Sequence, residues 1–255
     1  MMHQKIVSLT EYRERLKAQE TRVAWENFPP VYIVSPLGSA KAHPKYDDAK
    51  KKGDNAAALT LVKDIVPQDK VDELEILLAE QNVLIQPVHA MEEFGTNKIP
   101  AAFAYHLASL LNLDLGNDIV QANKPQRTDK GAFYRLSQYP FFDGDVQKGR
   151  KYVILDDTLS MGGTLASLRG YIENKGGHVL MAIALTGHEG AASLNIKEAM
   201  LDSIRKKHGD KLNDWWKAEV GFGVDKLTQG EAGHLKKAPS FEEIRNRIIA
   251  DRPKE

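Results

Sequence analysis

Apolar residues in the middle of the chain form short continuous runs that alternate with stretches of helical spacing. Such runs are typical of strands buried on both faces of a parallel sheet. They fall at residues 31–34, 83–88, 119–121, 152–155 and 179–185. Helical spacing occupies residues 56–66, 71–81, 100–111 and 164–174. The alternation predicts an α/β fold, in which a central parallel sheet has helices on both faces and a binding crevice at the carboxyl ends of its strands.

The two ends of the chain have charged, helical patterns. Residues 8–24 predict an amphipathic opening helix, and the spacing from residue 196 onward predicts several more. We interpret Trp215, Trp216 and Phe222 as core or interface residues, rather than as a surface that stacks on a base. The predicted organisation is an N-terminal helical segment (1–30), an α/β core that includes a small hood (31–195) and a C-terminal helical extension (196–255).

Composition narrows the classes of function. Lys plus Arg and Asp plus Glu number 35 each, so no global positive field attracts nucleic acid or anionic lipid, and a nucleic-acid partner is not expected. The chain has no cysteine, which excludes disulfides, thiolate metal sites and cysteine nucleophiles. His89, His106 and His188 lack metal-ligand spacing. No uncharged stretch reaches the roughly 18 residues of a membrane span, so we expect a cytoplasmic protein without a membrane partner.

The polar stretch at residues 41–55 includes the consecutive lysines Lys50, Lys51 and Lys52. A run of like charges is usually a solvated helix face, and we interpret this run in that way rather than as a binding patch. The surrounding residues 36–81, or the C-terminal tail, are the candidates for the hood.

The strongest chemical signal is the segment at residues 152–164. Its apolar strand ends in Asp156 and Asp157 and then turns through Gly162 and Gly163 into a helix. Carboxylates at a strand end stay hydrated and accept hydrogen bonds from vicinal ribose hydroxyls. The turn presents backbone N–H groups at a helix N-terminus, a favourable position for a phosphate. A ribose 5-phosphate fits both halves, whereas the alternative is a strand followed by a helix that the acids only cap.

This strand, its Asp-Asp pair and its Gly-Gly-Thr turn resemble the motif with which type I phosphoribosyltransferases bind 5-phosphoribosyl-1-pyrophosphate (PRPP). The resemblance extends over residues 31–186 and implies the fold of that family, with Mg²⁺-bound PRPP as substrate. It assigns the ribose hydroxyls to Asp156 and Asp157, which would contact the metal only indirectly, through Mg²⁺-PRPP. The PRPP-binding residues that it implies are Asp156, Asp157, Thr158, Ser160, Met161, Gly162, Gly163 and Thr164.

Two further segments take roles from the same resemblance. The loop at residues 90–98 lies between a strand and a helix, as the family's pyrophosphate loop does. Its implied pyrophosphate contacts are Gly95, Thr96, Asn97 and Lys98. The connection at residues 123–145 occupies the position of the family's flexible catalytic loop. Its implied catalytic cations are Lys124, Arg127 and Lys130, with Arg135 as a fourth basic residue, and ordinary surface charge is the alternative explanation.

The resemblance implies a pentosyltransferase that moves the 5-phosphoribosyl group from Mg²⁺-PRPP to a nitrogenous base, releases pyrophosphate and forms a homodimer. Ser160 stands where hypoxanthine-guanine enzymes carry an Asp, and Met161 stands where adenine enzymes commonly carry a hydroxyl residue. The base therefore stays unassigned. Two alternatives remain open: a non-catalytic regulatory protein that senses PRPP or a nucleotide, and an unrelated sugar-phosphate protein.

Overall fold

A computed structural model describes residues 22–89, 91–92, 95–122 and 131–251 of the chain. Its strands are β1 (Tyr32–Pro36), β2 (Val83–Pro87), β3 (Met91–Glu92), β4 (Gly95–Thr96), β5 (Asp114–Leu115), β6 (Val120–Gln121), β7 (Phe142–Asp143), β8 (Lys151–Thr158) and β9 (His178–Gly187). Its helices are α1 (Ser39–Ala42), α2 (Tyr46–Lys50), α3 (Asn55–Ile65), α4 (Gln68–Leu78), α5 (Ile99–Leu111), α6 (Ala132–Ser137), α7 (Gly163–Asn174), α8 (Glu198–His208), α9 (Lys211–Val220), α10 (Gln229–Lys237) and α11 (Phe241–Ala250).

Five strands form one parallel sheet in the order β1-β9-β8-β2-β5. One face is covered by a buried apolar cluster that includes Leu61 of α3, Leu74 of α4 and Phe103 of α5. The opposite face is covered by a second cluster that includes Leu168 and Ile172 of α7. The predicted α/β architecture, with a parallel sheet between two helical layers, is confirmed. Burial on both faces explains why its strands are continuous apolar runs.

The prediction that residues 119–121 join this sheet is wrong. On the side of β2 away from β8, the neighbouring strand is the short β5, whose Asp114 lies opposite Leu84 of β2. Strand β6 instead pairs antiparallel with β7. The side-chain amide of Gln86 donates a 3.1 Å hydrogen bond to the carbonyl of Ile119, so the chain is held beside the end of β2 rather than along it.

Helices α3 and α5 match their predicted positions, whereas α4 begins three residues before the predicted start. The long connection at residues 123–145 was predicted without regular structure, but its described part contains α6 and β7. Residues 22–30 of the predicted N-terminal helical segment contain no helix, and the rest of that segment lies outside the described residues.

The C-terminal helices α8–α11 surround a third apolar cluster centred on Trp216 and Phe222, which are 0% and 1% exposed. Their interpretation as core residues is confirmed. Leu136 of α6 and Tyr139 belong to the same cluster, so the described part of the predicted catalytic loop at residues 123–145 packs on the C-terminal extension. Among the described helices, none combines the length and the apolarity that a membrane crossing requires.

Candidate functional site

Strand β8 carries Asp156 and Asp157 to the carboxyl edge of the sheet, as predicted. The prediction that these carboxylates stay hydrated is wrong for Asp157, which is buried. One carboxylate oxygen of Asp157, Oδ2, accepts hydrogen bonds from Lys50 Nζ at 2.6 Å and from Asn97 Nδ2 at 2.8 Å. Asp156 Oδ1 accepts from the backbone N–H of Asp157 at 2.8 Å. The strand end is fixed to β9, because Thr186 Oγ1 donates to the carbonyl of Asp157 at 3.1 Å. The two acids are therefore adjacent but have different partners.

These partners separate the pKa values of the two carboxyl groups. Burial and the neighbouring charge of Asp157 raise the pKa of Asp156 to about 8. Burial alone would raise the pKa of Asp157 as well, but the Lys50 ammonium and the hydrogen bonds from Lys50 and Asn97 hold it below its usual value. At neutral pH Asp156 is therefore largely neutral and Asp157 is ionised. A neutral carboxyl both donates and accepts, so the pair can bond two ribose hydroxyls of either orientation.

The turn after β8 leads directly into α7. Gly162 lies at the N-cap of α7 with φ 76°, in the left-handed region that glycine adopts without steric cost. A Cβ at this position would lie 2.5 Å from two side-chain carbons of the buried Leu194, so the turn also has no room for a larger residue. The first N–H groups of a helix lack intrahelical acceptors and favour an anion. Residues 160–164, called the phosphate turn below after their predicted role, include the start of this helix.

The C-terminal extension is hydrogen-bonded to the phosphate turn, directly through Thr228 and indirectly through Arg22. Thr228 Oγ1 donates a 2.6 Å hydrogen bond to the carbonyl of Met161. The fully buried Arg22 donates to the carbonyl of Gly163 at 2.9 Å. The same guanidinium bonds both carboxylate oxygens of Glu231 on α10, at 2.6 and 3.0 Å. Two carbonyls of the turn are thereby anchored from one helix and one N-terminal side chain, neither of which the sequence motif includes.

Arg135 lies on the open side of the same turn. Its Nη1 donates to Ser160 Oγ at 3.1 Å, and Ser160 itself is exposed. Arg135 belongs to α6, which packs on α10 and α11 of the extension. An anion held by the backbone of the phosphate turn would lie within reach of this guanidinium. The sequence named Arg135 as one of four loop cations, and the structure places it against the phosphate turn.

The predicted pyrophosphate loop lies beside the acidic pair. Gly95 and Thr96 form β4, which pairs with β3 in a short hairpin. Asn97 Nδ2 donates to Asp157, and its Oδ1 accepts from the backbone N–H of Ile99 at 3.2 Å, at the start of α5. The backbone N–H of Lys98 donates to the carbonyl of Ala49 in α2 at 3.3 Å. The loop is therefore hydrogen-bonded both to Asp157 and to helix α2.

Thr158 and Thr164 complete the predicted PRPP-binding set. Thr158 Oγ1 is 3.2 Å from Thr186 Oγ1, across the β8–β9 pair, and Thr164 lies in the first turn of α7. The predicted catalytic residues Lys124, Arg127 and Lys130 lie outside the described residues.

Lys50 was missed, and its interpretation as part of a solvated face is wrong. Its side chain is only 13% exposed, whereas those of Lys51 and Lys52 are 55% and 74% exposed. Lys51 pairs with Asp47 and Lys52 pairs with Asp48, each four residues earlier on the helix. Four residues before Lys50 stands Tyr46, which offers no carboxylate. Asp47, three residues before Lys50, and Asp54, four residues after it, are carboxylates at helical spacing, so no local pattern distinguished Lys50 from its neighbours.

The donor set of the site does not fit a metal bound directly by the protein. Asp157 Oδ2 already accepts from two donors, and Asp156 is largely neutral at pH 7. Within the described ranges, no group of three or more His, Cys, Asp or Glu side chains could hold a metal ion. That the two acids contact a metal only indirectly, through Mg²⁺-PRPP, stays a prediction.

Known proteins resemble this chain to different extents. No family model matches. Protein TraN of Escherichia coli is 49% identical over 231 residues, which make up 91% of this chain and 51% of that protein. An uncharacterized protein of Haemophilus influenzae is 42% identical over 171 residues, or 67% of this chain and 38% of that protein. The chain thus spans about half the length, or less, of these two relatives.

More distant similarities carry a chemical name. An archaeal "HGPRTase-like protein" of Halorhabdus utahensis is 29% identical over 112 residues, or 41% of this chain and 59% of that protein. A solved adenine phosphoribosyltransferase aligns over 55% of this chain and 75% of its own, with 16% identity and a TM-score of 0.35.

Proposed function

We propose, from the α/β fold and from the resemblance of the β8 segment to the PRPP-binding motif, that this chain binds Mg²⁺-PRPP and transfers the 5-phosphoribosyl group to a nitrogenous base, releasing pyrophosphate. The observation that carries the proposal is the juxtaposition of three subsites at one sheet edge. The acidic pair Asp156–Asp157 faces the ribose, the phosphate turn takes the 5-phosphate, and the loop at residues 95–98 takes the pyrophosphate.

The chemistry follows from the position of each group. Departure of pyrophosphate leaves positive charge on the anomeric carbon and the ring oxygen, as in glycoside hydrolysis. The ionised Asp157 and the neutral Asp156 fix the ribose through its hydroxyls, and the anchored phosphate turn fixes the other end of the sugar. Mg²⁺ that arrives with PRPP would offset the charge of the leaving pyrophosphate. Lys124, Arg127 and Lys130 lie outside the described residues, so their catalytic role stays a prediction from the resemblance.

A second candidate is a regulatory protein that binds PRPP or a nucleotide without turnover. The ion pair between Lys50 and Asp157 bears on both candidates alike, because a ribose must displace or share this contact whether or not transfer follows. The observation does not exclude catalysis, since a binding step that frees Lys50 can precede transfer.

The first experiment is isothermal titration of the chain with Mg²⁺-PRPP, followed by measurement of pyrophosphate release with a panel of purine and pyrimidine bases. Asp156→Ala is the variant of choice, because it removes both the donor and the acceptor that a neutral carboxyl offers to ribose hydroxyls. Asp156→Asn, which keeps a donor and an acceptor, is its control and should retain binding. Binding that depends on Asp156, with base-dependent pyrophosphate release, supports the transferase. Binding without release for any base supports the regulatory protein, and no binding to the wild type contradicts both.

A further inference from the structure

Lys50 occupies the boundary between two of the proposed subsites. Its ammonium is 2.6 Å from Asp157 Oδ2, and the amide of Asn97 from the predicted pyrophosphate loop reaches the same oxygen at 2.8 Å. The preceding residue, Ala49, accepts a hydrogen bond from the backbone of Lys98 in that loop. The end of helix α2 therefore makes two contacts. The Lys50 side chain binds Asp157, and the Ala49 carbonyl accepts a hydrogen bond from the predicted pyrophosphate loop.

This ion pair is in competition with the ribose. A carboxylate oxygen that already accepts from Lys50 and Asn97 has little remaining capacity for the hydroxyl of a sugar. The Lys50 side chain is 13% exposed, so an ammonium that loses Asp157 without a new counter-charge would be costly. A pyrophosphate on residues 95–98 supplies such a counter-charge beside the position that Lys50 already occupies.

We propose that Lys50 is a pyrophosphate-binding residue, which Asp157 retains in the ligand-free protein and releases when the ribose hydroxyls of PRPP take over this carboxylate. The inference rests on the proposed function and adds to it a residue from the hood segment. Its consequence is selectivity: PRPP provides both the hydroxyls that displace Lys50 and the anion that receives it. Ribose 5-phosphate also displaces Lys50, but it has no pyrophosphate to bind the displaced ammonium. It should therefore bind more weakly than PRPP.

The test compares Lys50→Met with Lys52→Met. Both variants remove one lysine charge from the same run, but Lys52 is 74% exposed and pairs only with Asp48 among the described contacts. Titration of each with Mg²⁺-PRPP and with ribose 5-phosphate gives four affinities to compare with the wild type. We expect Lys50→Met to weaken PRPP binding by roughly 10- to 100-fold, the effect of one lost charge-assisted hydrogen bond. Ribose 5-phosphate should bind this variant at least as tightly as it binds the wild type, and Lys52→Met should change neither affinity.

Lys50→Arg serves as the charge-retaining variant and should keep PRPP affinity within a few fold. In the wild type, acylation of Lys50 by an amine reagent, followed by tandem mass spectrometry, offers a measurement that no substitution can disturb. Ribose 5-phosphate should increase labelling of Lys50, and Mg²⁺-PRPP should suppress it.

The inference is overturned if Lys50→Met weakens PRPP and ribose 5-phosphate equally, because Lys50 would then only support Asp157. Unchanged PRPP affinity in Lys50→Met overturns it as well. In both cases the wild type still binds PRPP and the proposed function stands. A wild type that binds neither ligand removes the proposed function itself, so the two failures are distinguishable.

Discussion

The hydroxyl of Thr228 and the carbonyl of Met161 form a 2.6 Å hydrogen bond that joins the C-terminal extension to the phosphate turn. The same hydroxyl accepts the backbone N–H of Glu231 at 3.1 Å, and so it caps α10 as well. Glu231 in turn pairs with Arg22, which bonds the carbonyl of Gly163. The start of α10 therefore supports two carbonyls of the phosphate turn, that of Met161 directly and that of Gly163 through Arg22.

Thr228→Ala should weaken the phosphate site as well as the fold. The loss of an N-cap costs about 1 kcal/mol of unfolding free energy, and the loss of the bond to Met161 adds a comparable amount. Ser240→Ala is the matched control, since Ser240 caps α11 through Glu243 and has no recorded contact with the phosphate turn. We expect both variants to lower stability in chemical denaturation, but only Thr228→Ala to lower affinity for ribose 5-phosphate. Equal affinities in the two variants would show that the extension merely stabilises the fold.

The two acids of β8 should respond in opposite directions to amidation. Asp157→Asn removes the carboxylate that lies 2.6 Å from the Lys50 ammonium and should lower the free energy of unfolding by about 3 kcal/mol. Asp156→Asn replaces a carboxyl that is already largely neutral at pH 7 and keeps its acceptor for the Asp157 N–H. We expect this variant to be as stable as the wild type or more so. Binding experiments on Asp156 are therefore free of the loss of stability that affects Asp157.

The stability difference between Asp156→Asn and the wild type should depend on pH. The pKa of Asp156 rises from 3.8 to about 8 on folding, so the folded protein holds a proton that the unfolded chain releases. The stability that this proton contributes is complete below pH 4 and is lost as the pH rises toward 8. Chemical denaturation between pH 5 and pH 9 should show a growing advantage of the variant, at least about 1 kcal/mol by pH 8. A difference that is constant over this range would contradict the raised pKa.

Arg135→Gln tests whether the guanidinium beside Ser160 contributes to the phosphate subsite. Removal of one charge-assisted hydrogen bond should lower the affinity for ribose 5-phosphate about tenfold. It should also reduce the dependence of this affinity on salt concentration. Arg247→Gln on the neighbouring α11 is the control, because Arg247 pairs with Glu243 and lies over the ring of Phe133 rather than at the turn. If both substitutions weaken binding to the same extent, a general positive field is responsible and Arg135 has no specific role.

The sequence predicted those parts of the site that are local in the chain. The unit of β8, the phosphate turn and α7 is contiguous, and its apolar run, acids and glycines are each visible without knowledge of the fold. Thr228 and Arg22 approach the same turn from distant segments, and no local pattern distinguishes them from ordinary capping or surface residues.

The errors in the predicted sheet also arise because strand pairing depends on contacts that are distant in the chain. Strand β5 is only two residues long and begins with Asp114, so it produces no apolar run. Ile119 is 1% exposed and has the apolar character of a strand residue, but it packs in the second core cluster beside β2 instead of pairing with it. Tertiary packing, not local propensity, decides between these two positions.

Gly162 and Gly149 offer a pair of substitutions that separates backbone strain from crowding. The two glycines have nearly equal φ values of 76° and 73°, so replacement by Ala costs each about 1–2 kcal/mol for a left-handed conformation. A Cβ at Gly149 meets nothing within 4 Å, whereas a Cβ at Gly162 lies 2.5 Å from the side chain of Leu194. Gly162→Ala should therefore be less stable than Gly149→Ala by a further 1–3 kcal/mol or so, the usual cost of overpacking.

The added strain at Gly162 falls on the phosphate turn, so its effect should extend to binding. We expect Gly162→Ala to lower the affinity for ribose 5-phosphate and Gly149→Ala to leave this affinity unchanged. Combining Gly162→Ala with Leu194→Ala removes the steric conflict and should recover part of the lost affinity, even though the Leu194 truncation itself lowers stability. Without such recovery, the loss would come from the backbone conformation alone, and the contact between Gly162 and Leu194 would have no part in shaping the site.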